Sequence, residues 1–233
     1  MAMVPDYLKD LELLRDLPPP QAERLSGLMT ERSFARREIV FSKGDVGQFL
    51  CFLVEGRLQG VDFTLDGREV GLYFVEPGSY FGEMSVIDGQ PRSDFVIAVA
   101  RARVALLPAD VARNLITQLP GIAEKVLLRL AQRLRSVSAQ RALLGLPNPA
   151  QRVCAQLVQL VEQQGKGQAS IPNAPTHQEL AIMINASRET VTRVFQVLQA
   201  RGVVARDGGS LNVIDPRYLR AVAEGQVEPP KAG

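Results

Sequence analysis

The sequence is poor in the residues that hold metals and redox cofactors. Its 233 residues include two cysteines and a single histidine, His177. Cys51 and Cys154 lie in separate apolar stretches, "FLCFLV" and "RVCAQL", which favours free buried thiols over a disulfide or a metal site. An iron–sulfur centre needs a cluster of cysteines, and a haem needs an axial ligand such as His or Cys. We therefore expect no metal, haem or iron–sulfur cluster.

Long apolar runs and common catalytic motifs are also missing. The stretch "MAMVPDYLKDLELLRDL" carries charge throughout, and no segment reaches the roughly 18 apolar residues of a membrane span. The sequence contains no P-loop, no nucleophile-elbow motif and no cluster of metal ligands. We therefore predict a cytoplasmic protein without a membrane partner, without catalytic residues and without enzymatic activity.

No large excess of one charge is present either. Lys and Arg number 27 and Asp and Glu number 25, and the two signs balance before Pro149. The small basic excess lies in the C-terminal part. Any nucleic-acid binding must therefore come from a local patch there.

The chain changes character along its length. Residues Pro5 to Asp16 and Pro20 to Met29 are expected to form short helices. From Ser33 to Leu107, short segments rich in Val, Phe and Leu alternate with turn signals about every ten residues, which predicts an antiparallel barrel or sandwich. The turns should require positive φ or close backbone approach at five glycines: Gly44, Gly56, Gly67, Gly78 and Gly89.

A long helix is expected next, with an apolar stripe interrupted by Arg141. The stripe consists of Leu127, Leu130, Leu134, Val137 and Leu144. Its heptad spacing, with Arg129, Arg133 and Arg135 around it, favours the seam of a dimer, and the alternative is a helix that packs on its own barrel. Asn148 and Pro149 then match the N-cap and first residue of a new helix, so a hinge is expected at this point.

The C-terminal part has a helix-turn-helix pattern. Thr176 to Asn185 should form the first helix and Arg188 to Arg201 the second, with Val191, Val194, Phe195 and Leu198 on its inner face. The opposite face carries Arg188, Glu189, Thr192 and Arg193. Arg donates two hydrogen bonds to guanine and Glu accepts one from cytosine, so this face could read bases, although exposed Arg and Glu are also common on solvated helices. "VVARDGGSLNVID" should form a β-hairpin wing with Arg206 available to phosphate.

Two stretches carry a family resemblance. "GREVGLYFVEPGSYFGEMSVIDGQPRSDFVIA" resembles the phosphate-binding cassette of the cyclic-AMP receptor protein and fumarate-nitrate regulator (Crp-Fnr) family of bacterial transcription factors, and "ELAIMINASRETVTRVFQVLQARGVV" resembles its recognition motif. The resemblance implies an α+β fold with three parts. These are a cyclic-nucleotide-binding β-barrel (jelly roll) at 1–108, a long dimerisation helix at 109–147 and a winged helix-turn-helix domain at 148–233.

The resemblance also implies site residues. Gly82 and Glu83 would open the cassette, the glutamate taking a ribose hydroxyl, and Arg92 with Ser93 would bind the cyclic phosphate. Alternatively, Arg92 pairs with Asp88 or Asp94 on a surface loop. The implied ligand set is Gly82, Glu83, Met84, Ser85, Arg92, Ser93, Arg133, Val137 and Ser138, and the implied DNA-binding set is Thr176, Gln178, Ser187, Arg188, Glu189, Thr192, Arg193 and Arg206.

One departure leaves the messenger open. Cyclic-AMP binders of the family place a Thr-Ser pair on the long helix, whereas this sequence has Val137 and Ser138. Cyclic AMP remains the first expectation, with cyclic di-GMP or constitutive DNA binding without a nucleotide as alternatives. The implied partners are a second copy of the chain, RNA polymerase and double-stranded DNA with palindromic half-sites close to TGTGA.

Overall fold

The computed structural model describes residues 6–64, 67, 69–165 and 169–230. Its first half contains a 3-10 helix at Asp6–Asp10, α1 at Pro19–Ser26, β1 at Thr30–Phe34, β2 at Ile39–Phe41, β3 at Phe49–Glu55, β4 at Leu58–Phe63, β5 at Glu69–Val75, β6 at Tyr80–Phe81, α2 at Glu83–Asp88, β7 at Phe95–Ala98 and β8 at Ala102–Pro108. There follow α3 at Ala109–Gln118, α4 at Pro120–Leu144, α5 at Pro149–Gln163, β9 at Ser170–Ile171, α6 at His177–Met183, α7 at Arg188–Ala200, β10 at Val204–Asp207, β11 at Ser210–Val213 and α8 at Pro216–Ala223.

The chain divides into two compact units, residues 1–133 and 134–233. The division falls inside α4, so that helix contributes to both units. In the first unit, two four-stranded antiparallel sheets with strand orders β1-β8-β3-β6 and β2-β7-β4-β5 enclose an apolar interior. The predicted antiparallel barrel is confirmed.

Strand β3 explains the continuous apolar run "FLCFLV". Cys51 and Leu53 belong to the interior cluster of the barrel, whereas Leu50 and Phe52 face a second cluster outside it. Because successive strand residues point to opposite faces, a strand covered on both sides must be apolar throughout. The outer cover includes buried leucines of the N-terminal segment and residues of α3 and α4. Burial raises the pKa of the Cys51 thiol to about 12, and both cysteines are free and buried, as predicted.

The N-terminal helix prediction was only partly correct. Pro5 lies outside the described residues, and helical structure ends at Asp10, after which the chain runs through turns. Leu11, Leu13 and Leu14 are all buried in the outer cluster. In a continuous helix Leu13 would lie about 200° around the axis from Leu11, so both could not face the same cluster, and the tertiary contacts favour turns. The second predicted helix ends at Ser26, because Thr30 already pairs with Leu106 in the barrel.

The predicted turn glycines are confirmed, since all five have positive φ: Gly44, Gly56, Gly67, Gly78 and Gly89. The predicted start of a new helix at Asn148 and Pro149 is confirmed, whereas a hinge at this point remains a prediction. Asn148 caps α5, its side-chain oxygen accepting a hydrogen bond from the backbone N–H of Ala150, and Pro149 begins the helix.

The second unit contains the predicted helix-turn-helix and wing. Thr176 caps α6 in a capping box with Glu179, and Ser187 caps α7. Asn185 in the turn between them has φ of 50°. The inner face of α7 is buried as predicted, at Val191, Val194, Phe195 and Leu198. Strands β10 and β11 pair as an antiparallel hairpin, extended by β9.

Candidate functional site

The cassette begins where β6 passes into α2. Gly82 joins the two elements with φ of 76°, a left-handed conformation that favours glycine. A Cβ at this position would lie 2.3 Å from Nη1 of Arg92. Glycine therefore both permits the turn and lets the arginine approach the backbone.

Arg92 is buried, with 5% of its surface exposed. Its Nη1 donates to the carbonyl of Gly82 and its Nη2 to the carbonyl of Phe49, each at 2.6 Å, and its guanidinium lies 4.4 Å from the centre of the Phe41 ring. Neither Asp88 nor Asp94 pairs with it, so the surface-loop alternative is wrong. Among the described residues no carboxylate lies within ion-pair distance of this cation.

Glu83 is fully buried beside it. Its Oε1 accepts a hydrogen bond from Nη1 of Arg133 at 2.9 Å, and its Oε2 is buried without a hydrogen-bond partner among the described residues. A buried carboxylate oxygen without a donor is costly, so such an atom commonly marks a place where a ligand or ordered water donates. Glu83 and Arg92 thus present an open acceptor and a buried cation in one cavity.

Three residues that sequence reasoning did not assign to the ligand also line this cavity: Phe41, Tyr73 and Asp94. Nη2 of Arg133 lies 3.4 Å from Oδ2 of Asp94, and its guanidinium lies 4.0 Å from the Tyr73 ring centre. Burial raises the pKa of Tyr73, whose hydroxyl is hydrogen-bonded to Asp94 and Arg133. Tyr73 is half-buried on β5, and nothing local to the sequence connects it to Arg133.

The other predicted ligand residues divide between the two units. Met84 and Ser85 on α2, and Ser93 just before β7, line the cavity. The hydroxyl of Ser93 lies 3.4 Å from Oδ1 of Asp94. Val137 and Ser138 lie further along α4, in the second unit. Both are exposed, and the Ser138 hydroxyl donates to the Leu134 carbonyl.

The predicted seam on α4 is largely uncovered. Leu127, Leu134 and Val137 are 66%, 69% and 60% exposed, and Leu144 is 39% exposed. Leu130 differs, because it packs partly against the outer cluster of the barrel. The helix therefore packs Leu130 against the first unit and leaves several large apolar side chains exposed to solvent.

The outer face of α7 carries the predicted base-reading residues. Arg188, Glu189 and Arg193 are exposed, and Thr192 is half-buried. Hydrogen bonds from its own backbone N–H and from the Ser187 hydroxyl lower the pKa of Glu189, so it is ionised near neutrality and remains an acceptor. Thr176 and Gln178 are exposed at the start of α6.

Arg206 is placed on the wing, next to α6 and α7. Its Nη2 donates to the carbonyl of Pro175 at 3.0 Å, and its guanidinium lies 6.0 Å from the centre of the Phe195 ring. Sequence reasoning also missed two internal ties of this unit. Gln140 on α4 donates to the Met183 carbonyl at the end of α6, and Arg152 donates to the carbonyls of Leu146 and Asn185.

Within the described residues, no group of three or more His, Cys, Asp or Glu side chains is arranged to hold a metal ion. No helix in the same part of the chain combines the length and hydropathy that a membrane span requires.

Comparison with known proteins covers both units. Residues 31–118 match the cyclic nucleotide-binding domain family, and residues 151–222 match the Crp-like helix-turn-helix domain family. The chain is 31% identical over 218 residues to the cyclic AMP receptor protein of Thermus thermophilus, covering 94% of this chain and 99% of that protein.

Solved structures are also similar to this chain. The crystal structure of the Thermus thermophilus catabolite activator protein aligns with a TM-score of 0.50 and 30% identity, over 92% of this chain and 99% of that one. The cyclic di-GMP responsive regulator CLP of Xanthomonas campestris shares the fold at 23% identity, with a TM-score of 0.63 over 84% of this chain and 99% of that one.

These matches confirm the predicted fold class and the predicted absence of an enzymatic role, because the matched domains together make up a regulator that binds DNA and a cyclic nucleotide. The chain belongs to the Crp-Fnr family of transcription regulators.

Proposed function

We propose that the protein is a homodimeric, sequence-specific regulator whose affinity for DNA is controlled by cyclic AMP bound in the barrel. We assign the barrel to 1–108, the dimerisation segment to 109–147 and the DNA-binding domain to 148–233. The dimerisation segment is not the single helix predicted from the sequence, because it comprises α3 and α4. The proteins named as similar to this chain include a cyclic AMP receptor protein, which supports the choice of nucleotide.

The observation that carries the proposal is the pairing of an unsatisfied acceptor with an unpaired cation. Oε2 of Glu83 lacks a donor, and Arg92 is buried without a carboxylate partner among the described residues. A cyclic nucleotide supplies the two missing groups, since its 2′-hydroxyl donates and its phosphate is an anion. The phosphate would displace the Arg92 guanidinium from one of its two carbonyl acceptors, and Ser93 would add a hydroxyl donor.

Arg133 provides the connection from the cavity to α4. It reaches Glu83 and Asp94 from that helix, so a ligand that changes the Glu83 carboxylate also changes a contact of the helix. We further propose that Val137 and Ser138 contact the nucleotide base in the dimer. A nucleotide that binds the DNA-competent arrangement more tightly than the other shifts the population toward it.

The second candidate is control by cyclic di-GMP. It is favoured by one departure in the sequence, Val137 at the position where cyclic-AMP binders of the family carry a threonine hydroxyl. The structural likeness to a regulator described as cyclic di-GMP responsive shows the fold alone.

Calorimetric titration of the purified protein with cyclic AMP, cyclic GMP and cyclic di-GMP tests the proposal. We expect cyclic AMP to bind and the other two to bind more weakly. Binding of cyclic di-GMP alone would support the second candidate. Absence of binding by all three, together with tight operator binding, would support a constitutive DNA binder.

The remaining parts of the proposal concern partners and location. The predicted DNA residues would read an inverted repeat with half-sites close to TGTGA. The protein bound at a promoter would contact RNA polymerase. The protein would act in the cytoplasm.

A further inference from the structure

The only histidine of the chain lies where three parts of the DNA-binding unit meet. His177 begins α6, its ring lies 4.6 Å from the Phe195 ring on α7, and Phe195 in turn faces the Arg206 guanidinium from the wing. The residues on either side, Thr176 and Gln178, are among the predicted DNA contacts, whereas His177 is not.

One nitrogen of the ring has a defined partner. Nδ1 of His177 lies 3.0 Å from the Thr192 hydroxyl oxygen, and that hydroxyl lies 2.9 Å from the Arg188 carbonyl oxygen. A hydroxyl has one proton, and the carbonyl can only accept, so Thr192 donates to Arg188 and accepts from His177. The proton of the neutral ring is therefore on Nδ1.

The other nitrogen is open. No described residue hydrogen-bonds Nε2, and this atom is not among the fully buried polar atoms without a partner, so it reaches solvent. In the neutral ring Nε2 is an acceptor, which a phosphate oxygen cannot use. After protonation it becomes a donor with a positive charge, which a phosphate favours.

The electrostatic surroundings oppose protonation in the free protein. Burial, followed by the charges of Arg206 and Arg188, lowers the pKa of His177 below its usual 6.5. These two arginines are the charged groups that face the ring, from β10 and α7. The carboxylate of Glu179, on the same helix as His177, accepts from the backbone N–H of Thr176. A DNA phosphate next to Arg206 and Arg188 would offset their charges and so raise the pKa of His177.

We propose that His177 is a proton-linked DNA contact, in which Thr192 orients the ring and the protonated Nε2 donates to a backbone phosphate. This inference rests on the proposed function, since it concerns the same DNA-binding surface. The contact would carry no sequence information, in contrast to those of Glu189 and Arg193. It would make operator affinity depend on pH while leaving base preference unchanged.

The direction of the pH dependence follows from linkage. If DNA raises the pKa of His177, binding takes up a proton, and the stabilising contact is complete below the pKa of the free protein. It is lost as the pH rises through the higher pKa of the complex. The affected window therefore begins below pH 6.5 and extends upward to the pKa of the bound state.

Because the chain has one histidine, nuclear magnetic resonance of histidine-labelled protein can follow the ring directly. The resonances would be titrated in the nucleotide-saturated protein, alone and with an inverted-repeat duplex obtained by selection from a random library. We expect a higher pKa in the complex. An unchanged or lower pKa would overturn the inference.

Two substitutions separate the two ring nitrogens. His177→Asn keeps an amide donor near the position of Nδ1, and so the Thr192 contact, but removes Nε2. His177→Gln places an amide donor near the position of Nε2 that does not titrate. For the natural protein we expect operator affinity to fall about tenfold between roughly pH 5.5 and pH 8, and the salt slope to fall by about 1.8, because the dimer makes the contact once in each subunit.

In both variants this tenfold change of operator affinity with pH should be absent. At high pH, His177→Gln should bind the operator more tightly than His177→Asn. Equal pH dependence in the natural protein and in His177→Asn would overturn the inference and leave the proposed function intact. If the protein enriches no duplex from the random library at any pH, both the inference and the proposed function are wrong.

Discussion

At the scale of single residues, the cavity depends on how buried charges are paired. Glu83 and Asp94 share Arg133, whereas Arg92 bonds only to backbone carbonyls. Burial of an unpaired cation is costly. An anionic ligand offsets this cost because it pairs with the cation, so a buried unpaired arginine is typical of a binding site. The residues that contribute most to ligand binding should therefore be those whose charges or hydrogen-bonding atoms lack a partner in the absence of ligand.

Arg92→Ala should lower nucleotide affinity at least about tenfold, because it removes a charge-assisted hydrogen bond worth roughly 1.5 to 3 kcal/mol. It should also lower the free energy of unfolding by about 1 to 3 kcal/mol, since the carbonyls of Gly82 and Phe49 lose their donor. Calorimetry and urea unfolding measure the two effects.

Arg113→Ala is the matched control. Arg113 also donates to a carbonyl of α2, that of Val86 at 2.8 Å, but it does not line the cavity. We expect a small loss of stability and normal nucleotide affinity. If Arg92→Ala binds the nucleotide normally, the assigned phosphate site is wrong.

At the scale of elements, α4 and α7 each combine a packed face with a face left for a partner. On α7 the packed face is buried in the helix-turn-helix core and the other face carries charge. On α4 the uncovered face is apolar, with Leu134 69% exposed. A charged exposed face is stable in water by itself, whereas a row of exposed leucines indicates an association surface.

Leu134→Glu should convert the dimer to monomers, because it would place two carboxylates in a dry interface. Sedimentation of the purified variant measures the change, and DNA affinity should fall with it. Ser136→Glu adds the same charge at an exposed position of α4 outside the stripe and should remain dimeric. A dimeric Leu134→Glu protein would locate the seam elsewhere.

Glu189→Ala should relax base selection at one position of each half-site, since a base contact contributes about 1 to 3 kcal/mol of discrimination. Selection from a random DNA library, with the natural protein in parallel, measures the preference. Arg206→Ala should instead weaken all sites alike and reduce the salt slope by about 1.8, or about 0.9 for each subunit of the dimer, because phosphate contacts are independent of sequence. Unchanged selection by Glu189→Ala would mean that this face is only solvated.

At the scale of the whole molecule, function requires that the two compact units respond to each other. The helix that belongs to both of them carries Arg133 in the first unit and Gln140 in the second, where Gln140 donates to the end of α6. A ligand in the barrel and DNA on α7 would then bias a common equilibrium.

Saturating nucleotide should raise operator affinity about 5- to 150-fold, which corresponds to a coupling free energy of about 1 to 3 kcal/mol. Linkage requires that operator DNA raise the combined affinity for the two nucleotides of the dimer by the same factor. Fluorescence anisotropy with labelled operator and calorimetry with the preformed DNA complex measure the two factors. Equal operator affinity with and without nucleotide would exclude allosteric control.

The sequence by itself determined those features that depend on neighbouring residues. The cap at Asn148, the capping box at Thr176 and the turn glycines follow from local hydrogen bonding and backbone sterics, and the buried face of α7 follows from helical periodicity. The two quoted motifs also sufficed to identify the family, because each is a contiguous stretch of chain.

Only the tertiary structure decided how distant residues share contacts. The turns after Asp10 replace the predicted helix because three leucines are buried against the barrel. Tyr73 and Asp94 join the cavity because Arg133, more than 38 residues away along the chain from either of them, reaches both. Local pattern reports which residues prefer to be buried, but the pairing of a buried charge depends on which side chains the fold brings within hydrogen-bond distance.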